Sequence, residues 1–120
     1  MTRHTILLTG GLGYIGSHTA VALVEAGYQV VILDNLSNSE RSVFDALGTL
    51  VGHNHLTFIE GDVTDAVTLE RVFSDHAFFG VVHFAALKSV AESEAQPLAY
   101  LETNIGGLLT LLRAMEQAEV

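Results

Sequence analysis

One parallel β-sheet of about four strands, wrapped on both faces by helices in a doubly wound α/β fold, is the architecture these 120 residues predict. Two observations carry the prediction. Short aliphatic runs, nearly continuous in apolar character as strands buried on both faces are, alternate with longer amphipathic segments. The first run leads straight into ILLTGGLGYIGSH, residues 6–18, where four glycines within seven residues separate it from a helix-like segment.

The strands fall at Thr5–Thr9, Gln29–Asp34, Leu56–Glu60 and 81–85, each rich in Val, Ile, Leu or Phe. Three helices lie between them. The first spans 15–26, with Ile15, Ala22, Leu23 and Ala26 on one face and Thr19 as the only polar residue in that stripe. Gly27 follows at the C-cap position that glycine fills without strain. The second is a short helix over 41–47, and the third covers Ala66–Asp75 behind Asp65 as its N-cap. After the fourth strand, residues 89–92 (SVAE) have capping-box spacing for a further helix, which Pro97 ends or bends. A long last helix over 100–118 sets Leu101, Ile105, Leu108, Leu109, Leu112 and Met115 along one side. Joined by right-handed crossovers, this order gives the doubly wound sheet, with no internal domain boundary.

Composition narrows the function. With 49% hydrophobic residues, a mean hydropathy of +0.40 and a single proline, the chain reads as one globular domain. It has no cysteine, which removes disulfides, thiolate metal sites and cysteine nucleophiles and fits a reducing cytoplasm. The apolar run before the glycine loop is three residues long, too short for a leader or a membrane span. Fourteen acidic residues against five basic ones give a formal charge of −9, which argues against nucleic acid and membrane surfaces as partners. His53 and His55 form an H-x-H pair without an evident third ligand, so no metal site is read. His83 reads as a core residue with a satisfied ring nitrogen.

Gly10, Gly13 and Gly16 fit G-x-x-G-x-x-G at the junction of the first strand and first helix. Such a turn needs positive φ, and a diphosphate approaches main-chain N–H groups only where no Cβ intervenes; the helix N-terminus adds partial positive charge. The second strand ends in Asp34, 18 residues beyond Gly16. Its carboxylate can accept from both hydroxyls of an adenosine ribose, or merely cap the turn DNLSNS. A 2′-phosphate would meet its negative charge, so NAD is favoured over NADP, with Arg41 nearby as the contrary sign. Asp62 follows the third strand, placed either for an adenine amino group or for starting the next helix with Asp65. After the fourth strand, HFAALKS offers small Ala85 and Ala86 for close approach of a cofactor. Lys88, the sole lysine, is placed for a phosphate or ribose oxygen, or is simply solvated.

Taken together, TGGLGYIGSH, DNLSNS, EGDVTD, HFAALKSVAES, Pro97, Tyr100 and Asn104 resemble the extended short-chain dehydrogenase/reductase family, and within it the nucleotide-sugar 4-epimerases. The likeness stays in register from Ile6 to Val120. It implies a Rossmann-like NAD-binding domain over 1–120, with Tyr14 and Ile15 touching the cofactor in the glycine loop and Asp34, Asn35, Asn38 and Ser39 around the adenosine. It also implies Asp62 and Val63 at adenine, Phe84, Ala85, Ala86 and Lys88 along the pyrophosphate and nicotinamide ribose, and Asn104. The family's chemistry interconverts UDP-glucose and UDP-galactose through a 4-keto intermediate, a Tyr-x-x-x-Lys tyrosine moving the proton. A homodimer through 90–118 is implied as well, although the same stripe equally serves to cover the sheet.

No Tyr-x-x-x-Lys occurs in these residues. Phe84 stands four before Lys88, and Tyr14, Tyr28 and Tyr100 are followed four residues later by His18, Ile32 and Asn104. No residue is therefore read as catalytic. The resemblance puts the catalytic serine, tyrosine and lysine, a fifth strand and a substrate domain after Val120, so the chain is expected to be an N-terminal portion, inactive alone. The rival readings are a dehydratase or uronate epimerase of the same family, or a nucleotide-binding module without catalysis.

Overall fold

A computed structural model describes residues 3–120; residues 1–2, which open the segment read for a leader, lie outside the described residues. The elements are Thr5–Thr9 (β1), Tyr14–Glu25 (α1), Gln29–Asp34 (β2), Arg41–Val51 (α2), Leu56–Glu60 (β3), Ala66–Asp75 (α3), Phe78–His83 (β4), Val90–Ala95 (α4), Pro97–Leu101 (α5) and Gly107–Ala118 (α6). A single 3₁₀ turn, His53–His55, precedes β3, and a π-helical turn, Glu102–Gly106, joins α5 to α6.

All four strands run parallel in the order β3-β2-β1-β4. Alternation along each strand sends side chains to opposite faces, and both faces are covered. Leu7, Val31 and Leu33 face α3 and α6, burying Leu69, Val72, Phe73, Leu111 and Ala114. Leu8, Val30 and Ile32 face α1 and α2, burying Ala20, Val24 and Leu47. Helices on both faces and a chain that reverses direction at β1 make the sheet doubly wound, as the alternation of runs predicts.

The structure corrects four local expectations. β4 starts at Phe78, not Val81, because Gly80 does not interrupt it. The ladder runs from Thr5↔Phe78 to Ile6↔Gly80, so Phe79 is bulged out of register and stacks on His4 at 4.5 Å. The strand ends at His83, leaving Phe84 and Ala85 in the loop beyond it. α1 buries Gly16, Ala20 and Val24 rather than the face of Ile15, Ala22 and Ala26, which is exposed. Gly16 and Ala20 let this helix lie close on the sheet, and Val24 packs into the core on that face. α2 continues a full turn past Leu47 to Val51, and its buried Gly48 makes room for the His53 ring.

The fourth correction concerns the last helix. Gly107, Leu111 and Ala114 form its buried face, while Leu101, Ile105, Leu108, Leu109 and Leu112 are between 41% and 53% exposed. Met115 alone of the expected stripe packs against the core. Pro97 starts α5 as its first residue, after Gln96 breaks the backbone between α4 and α5.

Candidate functional site

The direction of the chain reverses between β1 and β4, and open α/β sheets bind ligands beyond the carboxyl ends of the strands at that point. A cavity of about 610 Å³ opens there, a size typical of small-molecule sites. Loops after all four strands contribute to it.

The glycine loop forms its floor. Gly10 takes φ of 66°, and a Cβ there would meet the Ala85 nitrogen at 2.8 Å. The loop after β1 therefore touches the loop after β4 backbone to backbone. Gly16 is buried, and a Cβ on it would collide with the Gly10 carbonyl oxygen, so it belongs to helix-to-loop packing and not to the cavity wall. Gly13 differs from both. Its φ is −73°, and a Cβ would meet only the Gly10 oxygen, at 3.5 Å, an ordinary contact. The fold has no need of glycine at 13, and Gly13 lines the cavity. No side chain caps α1, whose first N–H groups lie beside Tyr14 and Ile15 at the cavity.

Asp34 and Asp62 stand at the tips of β2 and β3. Asp34 is 8% exposed: Oδ2 accepts from Leu12 N–H at 3.1 Å, and Oδ1 accepts from Leu36 N–H at 2.9 Å and from Ser39 Oγ at 3.0 Å. It thus caps the DNLSNS turn and fastens the glycine loop as well, while still lining the cavity. Leu36 is held at φ of 61° in this turn, a strained setting for a branched side chain. Asp62 Oδ2 accepts from Asn35 Nδ2 at 3.1 Å, tying the two strand tips together. Its Oδ1 accepts from Thr64 N–H and Thr64 Oγ1. Burial raises the Asp62 pKa, but these hydrogen bonds outweigh it and hold the carboxyl below its ordinary 3.8. Asp65 is the residue that caps α3, accepting from Val67 and Thr68 N–H, so Asp62 is not needed to start that helix.

Residues 84–89 close the third side. Thr9 is fully buried, and its Oγ1 accepts from the N–H groups of Phe84 and Ala85 at 3.1 and 3.2 Å. Phe84 N–H also donates to the Thr9 carbonyl, at 2.9 Å. Thr9 Oγ1 and His83 Nδ1 share a hydrogen bond of 2.6 Å, and partial burial lowers the His83 pKa from 6.5. Lys88 projects from this loop with Nζ 6.0 Å from the Phe84 ring centroid, and it is the basic residue on the cavity lining.

Fourteen of the sixteen residues expected at the cofactor line this cavity: Gly10, Gly13, Tyr14 and Ile15 from the first loop; Asp34, Asn35, Asn38 and Ser39 from the second; Asp62 and Val63 from the third; Phe84, Ala85, Ala86 and Lys88 from the fourth. Gly16 and Asn104 do not. The Asn104 carboxamide is instead turned onto the backbone of Leu87. The sequence reading omitted Leu33, Ser37, Gly61 and Leu87 at the strand ends and in the loops, and also Ser89, Glu92 and Thr103, which reach the cavity from around α4 and from the π-helical turn. Nothing in the spacing of these last three marks them, because the folding back of those helices brings them in. Arg41 is absent from the lining; its guanidinium lies over the Phe58 ring at 5.2 Å from the centroid.

Comparison with known proteins agrees with this fold. The family model described as GDP-mannose 4,6 dehydratase matches residues 7–120. A UDP-glucose 4-epimerase of Klebsiella pneumoniae is 49% identical over 96% of this chain, which covers 82% of that relative. A crystal structure of UDP-glucose 4-epimerase from Stenotrophomonas maltophila, with bound NAD and formylated UDP-arabinopyranose, superimposes with a TM-score of 0.93 at 44% identity, over 98% of this chain and 35% of that one. The Bifidobacterium longum enzyme, in complex with NAD+ and UDP, gives 0.93 at 38% identity, over 97% of this chain and 34% of its own. The chain thus spans about a third of the length of those two solved relatives. On the matched family model and the closely covered relative, this chain belongs to the extended short-chain dehydrogenase/reductases, in the UDP-glucose 4-epimerase family.

Proposed function

We propose that residues 1–120 are the NAD-holding part of a cytoplasmic UDP-glucose 4-epimerase, paired as a homodimer through 90–118. One observation carries the reading: the glycine loop, Asp34, Asp62 and the Lys88 loop converge on a single cavity at the reversal point of the sheet. Gly13 supplies the test of fit. Neither its φ nor its surroundings require glycine, so a ligand that comes close to the backbone accounts for it, as a diphosphate does. The uncapped start of α1 offers N–H donors and partial positive charge to the same group.

Asp34 accepts three internal hydrogen bonds and, with about four lone-pair sites, retains capacity for a ribose hydroxyl. A 2′-phosphate in its place would face the buried carboxylate, and Arg41, occupied on Phe58, offers no compensation. NAD is therefore favoured over NADP. Asp62 at the tip of β3 is placed for adenine, and Lys88 for a phosphate or ribose oxygen at the opposite side. When bound, NAD takes up a hydride from a substrate hydroxyl and returns it. This chain's residues bind and orient the cofactor; without a Tyr-x-x-x-Lys pair they supply no group to move the substrate proton, so they do not epimerise alone. The relatives solved with UDP and a UDP-sugar support a UDP-sugar as the substrate class, which we take to be a UDP-hexose, UDP-glucose and UDP-galactose. Support for pairing comes from the exposed stripe of Leu101, Ile105, Leu108 and Leu112.

Calorimetric titration of the purified chain with NAD and NADP tests the assignment. Saturable NAD binding, about tenfold or more tighter than NADP, is the expected result. Absent NAD binding, or equal affinity for the two, overturns it.

A further inference from the structure

Lys88 is flanked in sequence by two residues whose main-chain groups are held from outside the loop. Before it, Leu87 N–H donates to Asn104 Oδ1 at 2.8 Å, and Asn104 Nδ2 donates back to the Leu87 carbonyl at 3.0 Å. After it, Ser89 N–H donates to the Tyr100 hydroxyl at 2.8 Å, and that hydroxyl donates onward to Glu92 Oε2 at 3.3 Å. Tyr100 and Asn104 are four residues apart on one face of the continuous helical stretch formed by α5 and the π-helical turn. Neither lines the cavity. Ser89 caps α4 with its Oγ, but Glu92 does not complete a capping box by reaching back to the Ser89 N–H; Tyr100 has taken that donor.

We propose that Tyr100 and Asn104 are positioning residues that act through Lys88: they fix the backbone on both sides of the cavity's lysine and so aim its ammonium at the cofactor. This rests on the NAD reading above, and it assigns Asn104 a role different from the cofactor contact that family resemblance implies. The physical reason is entropy. A lysine side chain has large rotamer freedom to lose, and a loop free at Leu87 and Ser89 would add backbone freedom to it. Pinning both flanks leaves only the side chain to be ordered when an anion arrives.

Two measurements decide the proposal. Amide hydrogen exchange, read by NMR on the chain without ligand, should quicken at Leu87 in Asn104→Ala and at Ser89 in Tyr100→Phe, with core amides such as Leu8 unchanged. Unaltered exchange at those two positions overturns the clamp, whatever the chain binds. NAD titration then forms double-mutant cycles with Lys88→Met. Each single clamp variant is expected to weaken NAD binding about tenfold, the loss of roughly one charge-assisted contact, and to lose almost nothing further when Lys88→Met is added. Multiplying losses would mean that Asn104 or Tyr100 meets the cofactor independently, and would overturn action through Lys88. A wild-type chain that fails to bind NAD removes the proposed function instead, and the exchange data still decide the clamp.

Discussion

Gly13 and Gly10 stand three residues apart in one motif and answer to different masters. A Cβ at Gly10 would sit 2.8 Å from the Ala85 nitrogen on a residue whose φ is 66°, so Gly10→Ala combines a left-handed penalty with backbone overlap. Destabilisation of about 2–4 kcal/mol is expected in urea unfolding. Gly13→Ala carries neither cost, so its unfolding midpoint should match wild type within error while its NAD affinity falls. If calorimetry finds that affinity intact, Gly13 does not face the diphosphate. The sequence motif marks both glycines alike; only the contacts of the absent Cβ separate them. His83 makes a second prediction at this scale. Its imidazole is half-buried beside Thr9, and that burial lowers its pKa from 6.5 by disfavouring the charged ring. The unfolded chain therefore binds a proton below about 6.5 that the native chain refuses, so stability is full above that pH and declines as pH falls through the native value. Urea midpoints at pH 7.5 and 5.5 should differ in wild type, and the difference should shrink in His83→Gln. Equal slopes in the two proteins would assign the decline to other groups. Asp62 adds a separate decline, beginning only below about 3.8 because its own folded pKa is lowered.

Strands were more legible than helices, for a reason of chemistry. Three of the four strands fall at the expected bounds: β1 and β2 are buried on both faces and announce themselves by aliphatic content, while β3, at the sheet edge with Thr57 exposed, is marked by Leu56, Phe58 and Ile59. A helix must instead be read by which third of its circumference is apolar. α1 and α6 are apolar on more than one side, so periodicity alone pointed toward Ile15, Ala22 and Ala26 in one case and Leu108 and Leu112 in the other. The cores took the faces on which a glycine, Gly16 or Gly107, lets the helix approach. This difference is measurable. Leu111→Ala, on the buried face of α6, should cost about 2–5 kcal/mol, whereas Leu112→Ala one position on should cost well under half of that in a monomer. On α1, Ala20→Leu should destabilise by about 1–3 kcal/mol through overpacking, and Ala22→Leu should be nearly silent. The reverse order in either pair would restore the faces inferred from periodicity. The cavity lining was legible for a kindred reason: residues at or just past the end of a strand, such as Asp34 and Asp62, inherit its position, whereas Glu92 and Thr103 depend on how distant helices fold back.

At the scale of the molecule, one helical stretch ties two surfaces together. Tyr100 and Asn104 face the Lys88 loop, while Leu101 and Ile105, one residue further on in each case, open the exposed apolar stripe that continues through Leu108 and Leu112. Covering that stripe with a second copy would hold the same helix from its other side and steady the clamp on the cavity. A dimer of this kind binds only the folded chain, so mass action makes its melting temperature depend on protein concentration. Wild type is expected to melt higher as concentration rises and to scatter light as a dimer, while Leu108→Glu with Leu112→Glu should be monomeric and melt at one temperature throughout. Because neither leucine lines the cavity, the double variant still tests coupling: its NAD affinity should fall, and its Leu87 amide should exchange faster than in the wild-type dimer. A monomeric variant with wild-type NAD affinity would separate the two surfaces, leaving the clamp to act on Lys88 without help from association.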